Sequence, residues 1–435
     1  MVNRLVAVDD ADYRLPDPVR TQLAAELEDA GTEVGAVLEG LITDVTGDAA
    51  AADRLALDLA DQAFQALSTF HHAVELRNTK PVNVVIAGDS NTLGVSPANG
   101  TTRWASVMRD QLRRARPSAS NPAGGYGFYS ASSAQNSPVV TTSGVTVAQG
   151  TAAFSADSYT WRAYGPGDDQ VYPFTGTGAD LCYWKNPTGQ GTGFRWSVDG
   201  GATTTVITDA AYTAPLAIQI RGLTAGAHTV KAEWAVGSNP DTTYYSGIGG
   251  LYAYNGDENE GFRVLAGGIA GGTTGTWNAM ASGPYEIAKL YAPDLVLLPL
   301  GTNDFGGTVP LAPSVYKTNL QGMISKYKAR TTGKVPSFVI VFPPEIYKAS
   351  PLAPYDAYRA AAYEVAAADR NNVAVFDVGR RINPIPTFNS TLGGLMHTDY
   401  VHYTGVNSVD ASLLSGHAYF ATALVRFLLT GQSAA

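Results

Sequence analysis

The chain has 435 residues, of which 15% are charged and 46 are glycine, with a formal charge of −9 and one cysteine. The length allows two or three domains with separate cores. The acidic balance argues against nucleic acid, "RDQLRRARP" (109–117) being one solvated helix face, and the lone Cys182 excludes an internal disulfide and reads as a core residue. The N-terminus has no apolar run of signal-peptide length, and "LVLLPL" and "FVIVFPP" are too short for a bilayer. A soluble chain without a signal peptide and without membrane insertion is expected.

In chain order, residues 1–78 read as an N-terminal helical segment. Leu23, Leu27, Ala30, Val34, Val37 and Leu41 alternate steps of four and three, the seam of a coiled-coil-like helix. So narrow a stripe encloses no core, so it either docks on the main domain or packs on copies of itself; a homo-oligomer, a trimer, is expected. "VNVVIAG" (82–88) then reads as a buried strand and "TTRWASVMRDQLRRA" (101–115) as a helix. Residues 121–260 change style to short alternating runs, such as "TGFRWSVDG" and "HTVKAEWAV", separated by turn clusters; this is an inserted β-sandwich. From residue 261 strands alternate with helices: "GFRVLAGGIAG", "GPYEIAKLY", "PDLVLLPLGTND", "PSVYKTNLQGMISKYKAR", "VPSFVIVFPP", "PYDAYRAAAYEVAAAD", "VAVFDVG" and "SGHAYFATALVRFLLT". That alternation implies parallel βαβ units with both faces of the sheet covered. One α/β domain, 79–120 and 261–435, is thus interrupted by the insertion 121–260.

The strand ends carry the chemistry. The first ends in Gly88-Asp89-Ser90, another in "GTND" with Asn303 and Asp304, and after the last comes "MHTDYVHYTG" with Asp399 three residues before His402. Serine is a poor nucleophile at neutral pH and needs a base; His402 supplies one, and Asp399 would hold its tautomer. The oxyanion formed on attack needs donors. Candidates are the Ser90 N–H at a helix N-terminus, an N–H of the cluster "GGIAGGTTG", where Gly271 and Gly272 both qualify, and the Asn303 side chain. Any one of these residues has an ordinary explanation: Ser90 or Asn303 as a helix cap, the glycines as a turn, His402 as a loop histidine. All of them at strand ends, in this order, do not.

The order "GDSNTLG", "GIAGGTT", "GTND", "DYVH" resembles the SGNH (GDSL) hydrolase family of esterases and acetylesterases. The resemblance covers about 81–115 and 261–429. It implies a flavodoxin-like three-layer α/β/α domain and hydrolysis of small acyl esters through an acyl-enzyme, without metal or other cofactor. The triad would be Ser90, Asp399 and His402, the oxyanion hole Ser90, Gly271 and Asn303, with Asp89 and Asp304 supporting the loops. The sequence departs from the family where a β-domain separates the serine and glycine blocks and where Tyr403 follows the histidine in place of the frequent proline. His417 competes with His402, but it has Leu414 three residues before it and begins a helix, which reads as structural.

The expected substrate is an O-acylated, chiefly O-acetylated, carbohydrate or a small ester. Trp161, Tyr164, Trp184, Trp196, Trp234 and Tyr245 of the insertion are either sugar-stacking platforms or sandwich core. An insertion between nucleophile and oxyanion donor is expected to overhang the cleft. Alternatives are a non-catalytic adhesin on the same fold and a lipase or thioesterase for longer chains. The organisation, with a start like "YRLPDPVRTQLAAEL", is similar to minor tail and tail-fibre proteins of actinobacterial phages, which implies a virion location and other phage tail proteins as partners.

Overall fold

The computed structural model describes residues 63–94, 102–118, 125, 127–131, 140–141, 145–147, 160–163, 165–184, 193–207, 216–235, 246–280, 283–345, 352–379, 394–397, 399, 401–405 and 414–431. The seam of the N-terminal segment, and the oligomer expected from it, lie outside the described residues.

In chain order the elements are α1 (Ser68–Glu75), β1 (Val82–Gly88), α2 (Ser90–Leu93), α3 (Trp104–Ala115), β2 (Gly127–Ser130), β3 (Val140–Thr141), β4 (Val145–Val147), β5 (Thr160–Ala163), β6 (Asp169–Gly176), β7 (Gly178–Trp184), β8 (Gly193–Val198) and β9 (Thr204–Ile207). They continue with β10 (Leu216–Ile220), β11 (Gly226–Trp234), β12 (Ser246–Tyr254), β13 (Phe262–Gly268), α4 (Thr274–Ala279), α5 (Ile287–Tyr291), β14 (Leu295–Leu298), α6 (Thr302–Gly306), α7 (Pro313–Arg330), β15 (Ser337–Phe342), α8 (Tyr355–Ala368), β16 (Val373–Asp377) and α9 (Gly416–Thr430).

One sheet is wholly parallel, in the order β13-β1-β14-β15-β16. Counting only its own strands, this is 2-1-3-4-5, the flavodoxin-like order, whose crevice opens at the carboxyl ends where the order reverses. The apolar alternation of β1 explains the layers. Val82, Val84 and Ile86 join a core with Phe70, Trp104, Met108, Leu424 and Phe427 from α1, α3 and α9. Val85 and Ala87 face the other way, into a core with Trp277, Ile287, Leu320, Tyr327 and Tyr358 from α4, α5, α7 and α8. Burying both faces is why these strands read as continuous apolar runs.

The inserted chain forms two antiparallel sheets, β10-β7-β12-β5-β4 with β2 on β12, and β3-β6-β11-β8-β9. Their shared core holds Tyr129, Trp161, Tyr172, Leu181, Phe194, Val230, Trp234 and Leu251. Trp161 and Trp234 are therefore core residues and no platform for sugars, and Trp196 packs partly buried against the same cluster. On the outward face of the second sheet, Arg195, Glu233, Lys231 and Asp169 form a row of ion pairs. The side chains of Tyr164, Trp184 and Tyr245 lie outside the described residues.

The premise of the overhang, an insertion that leaves and returns beside the cleft, is contradicted by where the insertion is attached. β13 runs parallel to β1, with Val82 opposite Phe262 and Gly88 opposite Gly268. The chain therefore returns from the insertion at the amino end of the sheet. It also leaves there, because α3 carries it back from the carboxyl rim. Arg113, in the last turn of α3, donates to the carbonyls of Gly125 and Phe262 and pairs with Asp257 at 2.7 Å. Arg77 donates to Pro117 O while its own carbonyl accepts from Gly261 N–H. Both junctions thus lie one strand length from Ser90, roughly 20 Å at about 3.3 Å per residue.

Candidate active site

Ser90 is the first residue of the four-residue α2, directly after β1. The N-cap of that helix is Asp89, whose carboxylate accepts the Asn91 N–H at 2.9 Å, so the serine hydroxyl is released from capping. Gly94 ends the helix at φ 83°, a left-handed turn suited to glycine. Such close seating of α2 on the sheet needs glycine at the end of the neighbouring strand: a Cβ on Gly268 would come within 2.9 Å of the Leu93 nitrogen.

Three side chains from two segments more than 300 residues apart form one hydrogen-bonded run. His402 Nε2 lies 2.8 Å from Ser90 Oγ and His402 Nδ1 lies 2.7 Å from Asp399 Oδ2. Asp399 Oδ1 accepts the N–H groups of Val401 and His402 at 2.9 and 3.0 Å, which closes the turn between acid and base. Burial alone would raise the Asp399 pKa, but the hydrogen bond from His402 and the two backbone donors bring it down to about 2. An ionised Asp399 only accepts, so His402 Nδ1 carries the proton and Nε2 presents its lone pair to the Ser90 hydroxyl. The loop is pinned by a bridge between Met396 and Tyr403 and by His397 N–H to His402 O at 2.7 Å. Tyr403, at the position where the family often has proline, is buried with its ring stacked on Phe420 at 5.3 Å.

The glycine and asparagine blocks are clamped to each other. Asn303 Nδ2 donates to Gly272 O at 3.0 Å, leaving its second N–H for another acceptor. Asp304 accepts the Thr274 N–H on both oxygens at 3.1 Å and also the Thr274 hydroxyl, fixing the start of α4 just after the glycine turn. Gly272 N–H is used within that turn, donating to Ile269 O at 2.8 Å. Gly271 is exposed at φ 68° with open space where a Cβ would stand. Among the described residues the N–H groups of Gly271 and Ser90 make no hydrogen bond. Of the two glycines, Gly271 is thus the one with a free donor. Asp89 and Asp304 are buried, and burial pushes each up to about 6, their mutual repulsion adding to the rise at Asp89.

His417 stands apart from this run. It is buried on α9, its Nδ1 accepts the Trp104 N–H at 3.2 Å, and burial lowers its pKa to about 3, so it is neutral. Two residues near the run were not singled out by sequence. Asn91 touches the histidine loop twice, and His397 Nδ1 lies 3.5 Å from Asp399 Oδ2. Asn91 next to Ser90 reads as helix, and His397 reads as loop; only the fold brings either to the site. Among the described residues no three His, Cys, Asp or Glu side chains converge as a metal site would need, and no helix is long and apolar enough to cross a membrane.

Residues 229–405 match the GDSL-like Lipase/Acylhydrolase family. The match spans Gly271, Asn303, Asp399 and His402; Ser90 lies before it and is joined to the set by the fold. A peptidoglycan O-acetylesterase superposes with a TM-score of 0.59 at 16% identity, over 84% of this chain and 95% of its own. That span exceeds the α/β domain, so the likeness of fold extends into the inserted sheets. A lipase/acylhydrolase from Enterococcus faecalis aligns at 20% identity over 39% of this chain and 77% of its own, with a TM-score of 0.29. For a family two carbohydrate esterase from Cellvibrio japonicus the values are 11%, 67%, 96% and 0.27. No curated protein matches the chain.

Proposed function

We propose that this chain is a serine hydrolase of the GDSL-like lipase/acylhydrolase (SGNH) family, which its residues 229–405 match, and that it removes small O-acyl groups, chiefly acetyl, from a cell-surface polysaccharide. The observation that carries the reading is the unbroken run Asp399–His402–Ser90 at 2.7 and 2.8 Å.

In the first half-reaction Ser90 Oγ attacks the ester carbonyl carbon while His402 Nε2 takes the hydroxyl proton. Asp399 stabilises the resulting imidazolium. The carbonyl oxygen, now an oxyanion, is held by the N–H groups of Ser90 and Gly271 and the free amide N–H of Asn303, and donors set in place before the reaction need no reorganisation. Collapse breaks the bond to the sugar oxygen, which leaves with the proton from His402. Water then enters, gives a proton to His402 and attacks the acyl-serine. Acetate departs and Ser90 recovers its proton.

Carbohydrate as the acyl carrier is supported by the likeness of fold to the peptidoglycan O-acetylesterase, which runs beyond the hydrolase domain. The test is release of acetate from acetylated peptidoglycan and other acetylated glycans, beside aryl esters from two to twelve carbons. Acetate release from at least one glycan, and falling rates beyond four carbons, are expected. Fastest turnover on the long chains, with no acetate from any glycan, would make the enzyme a lipase or thioesterase.

A further inference from the structure

Asn91 follows the nucleophile and is buried in α2, yet its side chain is spent on a loop more than 300 residues away. Its Nδ2 donates to Val401 O at 3.2 Å and its Oδ1 accepts the Tyr403 N–H at 3.1 Å. These are the peptide groups immediately before and after His402. One amide therefore brackets the histidine from the serine side.

The chemistry of the two contacts is selective. Val401 O can only accept and Tyr403 N–H can only donate, so the bridging side chain must present a donor and an acceptor side by side, as a short primary amide does. Aspartate offers two acceptors; leucine offers neither. The bridge is fixed at both ends. Asn91 N–H is held by Asp89 Oδ1 at 2.9 Å, and Tyr403 is held by its ring on Phe420. Packing does not replace it: a cavity of about 20 Å³ lies against Asn91, lined also by Asp89, Trp104, Thr302, Tyr403 and Phe420.

We propose that Asn91 is a positioning residue that sets the distance from Ser90 Oγ to His402 Nε2, acting by clamping both peptide groups that flank His402. The proposal rests on the esterase reading above. A reacting pair misplaced by about 1 Å can lose on the order of 10²-fold in rate, and among the described residues the one other hydrogen bond between the histidine loop and the serine helix is the Ser90–His402 contact itself.

The test compares wild type with Asn91→Ala, Asn91→Asp and Ser90→Ala, using p-nitrophenyl acetate turnover, the rate of labelling by a fluorophosphonate, and thermal unfolding. For Asn91→Ala, kcat is expected to fall about 10²-fold with KM nearly unchanged, and the labelling rate constant to fall in parallel, since labelling reads activation of the serine without deacylation. Asn91→Asp keeps the acceptor for Tyr403 N–H but sets an oxygen against Val401 O and a negative charge beside His402. With one half of the bridge kept and the other opposed, kcat and the labelling rate constant should again fall together, with KM nearly unchanged. Val425→Ala, a core substitution in α9, serves as the control for loss of stability and should leave kcat within about twofold of wild type.

If Asn91 were merely structural, its variants would lose Tm and labelled fraction as Val425→Ala does, while the labelling rate constant of the folded protein stayed put. That outcome, or kcat within about threefold of wild type in Asn91→Ala, overturns the proposal. Should Asn91→Ala fail to fold, the labelling rate constant of Asn91→Asp decides: a value within about threefold of wild type overturns the proposal. A fully active Ser90→Ala would instead overturn the esterase reading itself; an inactive Ser90→Ala beside a fully active Asn91→Ala would sink the positioning role alone.

Discussion

Replacing Asp399 by asparagine changes one atom, and the structure says what must follow. Asp399 Oδ1 receives two backbone donors, Val401 N–H at 2.9 Å and His402 N–H at 3.0 Å, while Oδ2 receives His402 Nδ1 at 2.7 Å. An asparagine that keeps its oxygen under the backbone donors turns its NH₂ toward His402 Nδ1. Two donors cannot face each other, so the imidazole proton moves to Nε2, which then donates to Ser90 and has no lone pair left to take its proton. In serine-protease triads this wrong tautomer costs about 10⁴ in kcat, or about 5.5 kcal/mol. The flipped amide restores the tautomer but leaves two backbone N–H groups against an NH₂, at roughly 1–3 kcal/mol each. The lesser loss governs, so kcat for p-nitrophenyl acetate should fall at least about 30-fold and up to about 10⁴-fold. Turnover between pH 5 and 9, normalised to folded protein, measures it. An Asp399→Asn variant that is folded and within tenfold of wild type would refute the tautomer argument.

Other consequences concern stability and assembly. Arg113 and Asp257 are both almost wholly buried at the junction of the insertion. Asp257→Ala strands the guanidinium and should cost about 3–5 kcal/mol by urea unfolding, with kcat per folded molecule within a few-fold because the junction is a strand length from Ser90; a cost under 1 kcal/mol would contradict this. Asp89 and Asp304, pushed up to about 6 by burial, bind protons in the folded state that the unfolded chain releases above about 3.8. Their contribution to stability is present below that value and is lost as pH rises through 6, by roughly 3 kcal/mol per group at most. Unfolding free energies from pH 4 to 7 should therefore show a shallower decline for Asp304→Asn than for wild type, and equal slopes would remove the assignment. By light scattering the full chain should be a trimer and a chain starting at Gln62 a monomer; a full-length monomer ends the seam argument.

Much of this was legible because local chemistry and fold agree. Helix α7, Pro313–Arg330, could be read to the residue from a proline in its first turn and basic residues in its last. The parallel strands stood out as apolar runs ending in small polar residues, since burial on both faces leaves polarity only at the rim. Helix α4 was hidden by the glycines around it and is held by a capping box between Thr273 and Thr276. The expected overhang neglected a geometric fact: after a parallel strand, the helix carries the chain back to the amino edge, so an insertion following α3 starts far from Ser90. Strand periodicity could not say which way Trp161 and Trp234 pointed, because the second sheet supplies the face that buries them. Asn91 was illegible for a similar reason. Its donors and acceptors match partners that only the folded chain brings near.

If Ser90 is the nucleophile, an active-site label must find it. Wild type treated with a fluorophosphonate should lose acetyl-ester turnover in step with the incorporation of one label, on the peptide containing Ser90. Ser90→Ala should neither label nor turn over while its melting temperature barely moves. A Ser90→Ala protein that still hydrolyses acetyl esters, or a label that arrives on another residue as activity disappears, would mean that Ser90 is not the nucleophile.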